Sequence, residues 1–234
     1  VRDMINLIEK ADVGVKLSIN ADGTGLNLVN NVSGANLTIG ENAGGTTATD
    51  LGLRSMDTTT TLGTLNFGRG VDLANGDDLR IHLHDGTDVD VDLSAAATLG
   101  DVIGLINAAG GGSVTASLAA DGNGLVLTDA TVGADNFRAT SINGSHAAED
   151  LGLALNAGAG ATLDGGDVAM VRTESVFTHL MMLRDGLATN DEDLITEAGT
   201  RLHGDVSAVA TARANMGVRS RQALQQTQRL EDRQ

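Results

Sequence analysis

The chain has no cysteine, no proline, no tryptophan and no tyrosine, and only three phenylalanines in 234 residues. Without cysteine there is no disulfide framework, no thiolate zinc site and no thiol nucleophile. Without proline, nothing in the chain carries the residue that most firmly stops a helix. The shortage of aromatics argues against an enzyme pocket, because such pockets lean on aromatic side chains for their shape. No run of eighteen apolar residues occurs, which excludes a membrane-spanning helix. Basic charge is scarce too, with a formal net charge of −16 that is unevenly spread. Residues 1–171 carry 7 Lys/Arg against 22 Asp/Glu, and residues 172–234 carry 8 Arg against 9 Asp/Glu. The acidic part repels nucleic acid and anionic membrane, and no basic patch with interleaved aromatics exists. Neither nucleic acid nor membrane is an expected partner.

What is present is organised by a duplication. Asp3-Met4-Ile5-Asn6-Leu7-Ile8 answers Asp101-Val102-Ile103-Gly104-Leu105-Ile106, at an offset of 98. Asp22-Gly23-Thr24-Gly25-Leu26 answers Asp121-Gly122-Asn123-Gly124-Leu125 at 99, and Asp50-Leu51-Gly52-Leu53 answers Asp150-Leu151-Gly152-Leu153 at 100. Three blocks in one order make a repeat of about fifty residues. In the second copy Thr98 is placed to cap a helix, with Asp101 in the capping-box position. That helix buries Val102, Ile103, Leu105 and Ile106. Each Asp-Gly then marks a two-residue hairpin turn. Folding there pairs Leu118 with Leu125 and Ala116 with Leu127; in the first copy it pairs Ile19 with Leu26 and Leu17 with Leu28. The closing Asp-Leu-Gly-Leu blocks tuck two leucines under the sheet.

Between the copies lies a further hairpin, with alternating strands 79–84 and 88–93 joined by Asp85-Gly86-Thr87. The expected register sets Leu83 against Val89, Ile81 against Val91 and Leu79 against Leu93. The other face then sets His84 against Asp88, His82 against Asp90 and Arg80 against Asp92. The fold class expected is α+β. Residues 1–60 form a first β-rich module, residues 61–165 a second with the extra hairpin, and residues 166–234 a helical core segment.

Chemistry is thin. His82, His84, Asp88, Asp90 and Asp92 resemble a zinc or manganese ligand set, but such partners on a hairpin face also satisfy one another. No EF-hand loop, phosphate-binding loop or Gly-x-Ser-x-Gly elbow is present, and the Ser145-His146 pair sits in a turn-rich loop. Neither a catalytic residue, a resident metal nor a cofactor is expected, and the chain is read as a non-enzyme.

The strongest pattern is C-terminal. Residues 173–234 read as helix, broken and restarted at Thr189-Asn190-Asp191-Glu192. Apolar residues recur at steps of seven: Ile195, Leu202, Val209, Met216, Ala223 and Leu230. A stripe of this period requires a partner helix. It is narrow, flanked by Gly199, Arg213, Ser220 and Thr227.

The run from Phe177 to Asp232, with Leu183-Arg184-Asp185-Gly186-Leu187-Ala188-Thr189-Asn190-Asp191 and Arg213-Ala214-Asn215-Met216-Gly217-Val218-Arg219, resembles the C-terminal helical core of bacterial flagellin-type proteins. The first of those elements is most similar to the hook-associated branch of the family. Ile106-Asn107 resembles the flagellin-hook Ile-Asn motif, from which the first copy departs with Ile8-Glu9. The resemblance implies an extracellular structural subunit of the flagellum, with β-rich outer modules and a core that packs by helices. It also implies that Arg213, Gly217 and Arg219 sit in that packing. The partners it implies are hook-associated proteins, flagellin and further copies of the chain. A filament subunit, or a secreted metal-binding or adhesive module, are the alternatives. The chain starts inside an expected helix without an initiator Met, and the terminal helices of the family are not in these residues. It is therefore expected to be a fragment, monomeric in isolation.

Overall fold

The computed structural model describes residues 1–21, 23, 25–42, 44–120, 123–173 and 175–231. The architecture is mixed α+β, with small antiparallel sheets, seven helices among the described residues and one long C-terminal helix. The chain divides into two compact units. Unit 1 is Val1–Val32 with Asn36–Arg172, and unit 2 is Ser33–Ala35 with Thr173–Gln234.

In unit 1 the first copy runs α1 (Arg2–Ala11), β1 (Val15–Ile19), β2 (Leu26–Asn30), β3 (Asn36–Leu37) and α2 (Thr47–Asp50). A 3-10 turn and the distorted single turn α3 (Leu65–Gly68) follow, then the hairpin β4 (Leu79–His82) and β5 (Asp88–Val91). The second copy runs α4 (Leu99–Gly110), β6 (Val114–Leu118), β7 (Leu125–Asp129), β8 (Phe137–Ser141) and α5 (Ala147–Asp150). Three short strands close the unit: β9 (Asn156–Gly158), β10 (Thr162–Asp164) and β11 (Val171–Arg172). The order helix, hairpin, strand, short helix is thus the same in both copies.

Local chemistry accounts for this order. Thr98 and Asp101 form the expected capping box: the Thr98 hydroxyl accepts from Asp101 N at 3.2 Å, and the Asp101 carboxylate accepts from Thr98 N at 2.9 Å. Hydrogen bonds from Ala97 N, then from Thr98, hold the Asp101 carboxyl below its ordinary range. Both Asp-Leu-Gly-Leu blocks are helix ends of one design. Gly52 and Gly152 take φ of +62° and +71°, and Leu53 N and Leu153 N donate back to Ala48 O and Ala148 O. A left-handed glycine followed by this reach-back is a Schellman close. Leu151 and Leu153 are fully buried, whereas Leu51 and Leu53 are half-buried.

Both repeat hairpins have the expected register: Leu118 faces Leu125 and Ala116 faces Leu127, and Ile19 faces Leu26 and Leu17 faces Leu28. Asp22, Asp121 and Gly122 of their turns lie outside the described residues.

The middle hairpin differs from its expected register. Ile81 faces Val89, Leu79 faces Val91, His82 faces Asp88 and Arg80 faces Asp90. The turn has the expected three residues but lies one residue earlier than the alternation suggested. Leu83 N donates to Thr87 O at 2.9 Å, Gly86 N donates to Leu83 O at 3.0 Å, and Gly86 takes φ +84°. A three-residue loop ending in a left-handed glycine sets the strands two positions back. A slip of two keeps every side chain on its face, since the side-chain period is two. His84 leaves the ladder and becomes a turn residue, 8% exposed, with Nδ1 2.7 Å from Asp129 Oδ2.

The core lies around the second copy. The sheets β5-β4-β8-β9 and β10-β7-β6, with α4 packed on β5 and β6, enclose Leu79, Ile81, Leu93, Val102, Ile106 and Phe137 among others. Burying each such side chain contributes about 1.5–3 kcal/mol. Val102 and Ile106 of α4 are fully buried, as expected, while Ile103 and Leu105 are half-buried. The Ile-Asn pair divides its work. Ile106 fills the core, and Asn107 brackets Ala116, donating to its O at 3.1 Å and accepting from its N at 2.7 Å. This side chain therefore closes the outer edge of β6. Glu9 stands at the equivalent place in the first copy, and an ionised carboxylate has no N–H to give.

Removing this bracket leaves an N–H and a C=O of Ala116 unmatched, so Asn107→Ala is expected to lower stability by about 1–3 kcal/mol in urea unfolding. A pH effect follows from Asp129. Burial pushes its carboxyl up, but hydrogen bonds from Thr131 Oγ1, His84 N and Thr131 N outweigh burial and hold it below the ordinary range. The stability this lends is complete above the ordinary carboxylate value of about 3.9 and is lost as pH falls through the lowered native value. Asp129→Asn should therefore flatten the acid limb of a plot of unfolding free energy against pH.

Candidate functional site

Unit 2 is a helical hairpin. α6 (Val176–Thr189) starts at Ser175, whose hydroxyl accepts from Thr178 N at 3.2 Å, and ends at Asn190 in the left-handed region, φ +56°. Asn tolerates that conformation better than most residues, which is why the chain breaks where Thr189-Asn190-Asp191 stands. Asp191 then caps α7 (Glu192–Glu231), its Oδ1 accepting from Leu194 N at 2.8 Å. The two helices cross closely at Gly186, where a Cβ would stand 3.1 Å from Ile195 Cγ1 and 3.3 Å from Leu194 Cβ. Met182 and Ala198 are buried in the crossing, and His179 Nδ1 lies 2.7 Å from Asp205 Oδ2. Residues 33–35 lie against α6: Gly34 N donates to Thr178 Oγ1, and a Cβ on Gly34, which has φ +76°, would stand 2.5 Å from Met181 Sδ.

α6 covers α7 only as far as Asp205. From residue 206 to residue 229 every position is exposed except Gly217, which is half-buried. Residues 206–231 extend about 39 Å at 1.5 Å per residue. The heptad stripe is thus divided. Ile195 and Leu202 are half-buried beside α6, whereas Val209 is 55% exposed, Met216 is 63% exposed and Ala223 is open. The Leu230 side chain lies outside the described residues. At about 100° per residue, Val209, Met216, Ser220, Ala223 and Thr227 share one face within about 40°. Val206, Arg213 and Leu224 lie within about 60° of it, and Gly217 and Arg219 flank it at about 80° on opposite sides. The face is therefore a ridge of small and medium side chains with arginines along it. Sequence periodicity located the ridge but missed the Gly186 crossing and the His179–Asp205 pair. A glycine inside a helix and a histidine on its apolar side were the available signals.

The other constellation singled out in the sequence is dispersed. Arg80 binds Asp90 through two hydrogen bonds of 2.7 and 2.6 Å, His82 Nδ1 lies 2.5 Å from Asp88 Oδ1, and Asp92 accepts from Ser94 N. These contacts depress Asp90, through Arg80 first, and Asp92, through Ser94 first. His84 points inward to Asp129, so the five side chains converge on no common point. Ser145 and His146 also part. The Ser145 hydroxyl donates to Asp72 O, while His146 Nδ1 lies 3.1 Å from Asp72 Oδ2, which raises the imidazole above its ordinary value.

Overpacking the crossing identifies which part of α7 carries unit 2. Gly186→Val is expected to cost about 1–3 kcal/mol of unit 2 stability by thermal unfolding, whereas Met216→Ala should change it by no more than about 0.5 kcal/mol. His146 should titrate above about 6.5 by NMR, with Asp72→Asn returning it toward that value. Its stabilising contribution is full below the ordinary value and lost as pH rises through the raised one. Searches of family models, curated proteins and solved structures find no match to this chain.

Proposed function

We propose that the chain is a structural, non-enzymatic subunit of the bacterial flagellin family, of the hook-associated type that joins hook to filament. It assembles through the ridge of α7. The observation that carries this reading is the apolar ridge over residues 206–229, which lies on a helix long enough to span several subunit contacts and is left uncovered beyond Asp205. An isolated helix of this length is marginal in water, and tertiary or quaternary packing supplies most of its stability. The Leu183–Asp191 and Arg213–Arg219 elements, which resemble the helical core of that family, stand at the α6–α7 turn and in the middle of the ridge. The Asn107 bracket gives a physical role to the Ile-Asn motif of the second module. The partners on this reading are other flagellar subunits: hook-associated proteins, flagellin and further copies. The acidic β-rich modules would face solvent outside the cell.

Immunogold electron microscopy of intact flagellated cells tests the proposal, with antibodies raised against this chain. The expected outcome is a single band of label where hook meets filament. Label along the whole filament would make the chain a filament subunit instead, and label confined away from the flagellum would overturn the proposal. In the same cells, Val209→Asp with Met216→Asp is expected to abolish incorporation while leaving the melting temperature of the isolated chain unchanged.

A further inference from the structure

Three Asn-Gly steps occur in the chain: Asn75-Gly76, Asn123-Gly124 and Asn143-Gly144. An asparagine before glycine carries an unusually labile side-chain amide. The next backbone nitrogen can reach the side-chain carbonyl, and glycine puts no Cβ in the way. The reaction needs two freedoms. The asparagine side chain must turn until Cγ meets that nitrogen, and the nitrogen must not be committed to a hydrogen bond. The fold grants these freedoms unequally.

Asn123 is pinned at both ends of its amide. Its Nδ2 donates to Ile39 O at 2.9 Å, and its Oδ1 accepts from Arg54 Nε and from Met56 N, each at 3.3 Å. Asn143 is pinned as well, with Nδ2 donating to Asp77 O at 2.8 Å. It also sits in a turn closed by Ser145 N donating to Ile142 O at 3.0 Å, with φ +56° at Asn143 and +82° at Gly144. Asn75 differs. It is exposed, and among the described residues neither its side chain nor Gly76 N takes part in a hydrogen bond. Gly76 takes φ +95°, and a Cβ on it would meet nothing within 4 Å, so a ring has room to close. Only this tip is free. Its base is fixed by the buried Asp78, whose Oδ1 accepts from Ala74 N at 2.7 Å and whose Oδ2 accepts from Leu93 N at 2.9 Å.

We propose that Asn75 is a site of spontaneous deamidation, and that the fold confines the reaction to this step. Gly76 N, having given its proton to a solvent base, bonds to Asn75 Cγ. The Cγ–Nδ2 bond breaks, and the side-chain nitrogen takes a proton back and leaves as ammonia. The cyclic imide then takes up water. Opening at Cγ gives aspartate. Opening at the backbone carbonyl gives isoaspartate, with the main chain routed through Cβ and Cγ. The net change is amide plus water to carboxylic acid plus ammonia, with nothing oxidised or reduced. The product adds a carboxylate close to Asp77 on a surface that is already acidic. Both forms alter only the tip outside the Ala74–Asp78 anchor. The modification is independent of the assembly role given to α7, since all of these residues belong to unit 1.

The test incubates the full chain in mildly alkaline buffer, folded and in urea, and follows the three Asn-Gly peptides by mass spectrometry. In the folded chain the Asn75 peptide is expected to gain the mass of amide-to-acid exchange and to separate by chromatography into aspartate and isoaspartate forms. It should react at least about tenfold faster than the Asn123 and Asn143 peptides, because a pinned asparagine waits on local opening. In urea that preference should collapse. Asn75→Gln lengthens the side chain beyond easy ring closure at an exposed position where substitution leaves the fold intact, and its peptide should show no gain. The proposal is overturned by an Asn75 that stays unreacted in the folded chain, or by Asn123 or Asn143 reacting there as fast. A preference that persists unchanged in urea, or a mass gain that persists in Asn75→Gln, overturns it too.

Discussion

A helix with an apolar stripe needs a second surface to lie on, and α6 provides one for α7 only up to Asp205. The rest of unit 2 depends on this mismatch of lengths: fourteen residues in α6 against forty in α7. Over the shared length the packing is close enough for Gly186 to be required, and the His179–Asp205 pair closes it. Beyond it the helix is held by backbone hydrogen bonds and by exposed side-chain bonds to the preceding turn, such as Thr211 Oγ1 to Ser207 O and Thr227 Oγ1 to Ala223 O, and these contribute little in water without burial. Val209 and Met216 stand there at more than half exposure.

The same logic operates in unit 1, in sheet form. One pattern of helix, hairpin, strand and short helix occurs twice, with the same Schellman ends, and only the second copy's long helix carries a side-chain capping box. Only the copy that receives the β4–β5 ribbon builds a closed core. Asn107 completes that copy by bracketing Ala116, and Glu9 leaves its counterpart without that bracket. The stability of unit 1 is therefore concentrated in residues 61–165, around Phe137 and the leucines of β4, β6 and β7.

The charged face of the β4–β5 hairpin shows how a structural device resembles a functional one in sequence. Histidines and aspartates at alternate positions match a metal ligand set in composition. In space, Arg80, His82 and Ser94 each take one carboxylate, and His84 turns inward to Asp129. Charges along an exposed strand edge also discourage unwanted strand addition, which suits β5 at the edge of its sheet.

Sequence alone determined the α+β class, the duplication, the register of both repeat hairpins, the Thr98–Asp101 cap and the heptad stripe. These follow from local rules: turn residues that demand left-handed backbone, cap residues at fixed spacing, and side-chain periods of two and 3.6. Tertiary structure decided three things that local rules cannot reach. It set the middle hairpin two residues from its expected register, because the Gly86 turn closed one pair earlier and both registers keep the same faces. It buried one copy of the repeat and left the other half open, because burial depends on which segment arrives to cover a face. It also divided the heptad stripe at Asp205 into a covered part and a bare one, because the extent of packing is fixed by the length of the opposing helix, α6, and by nothing within α7.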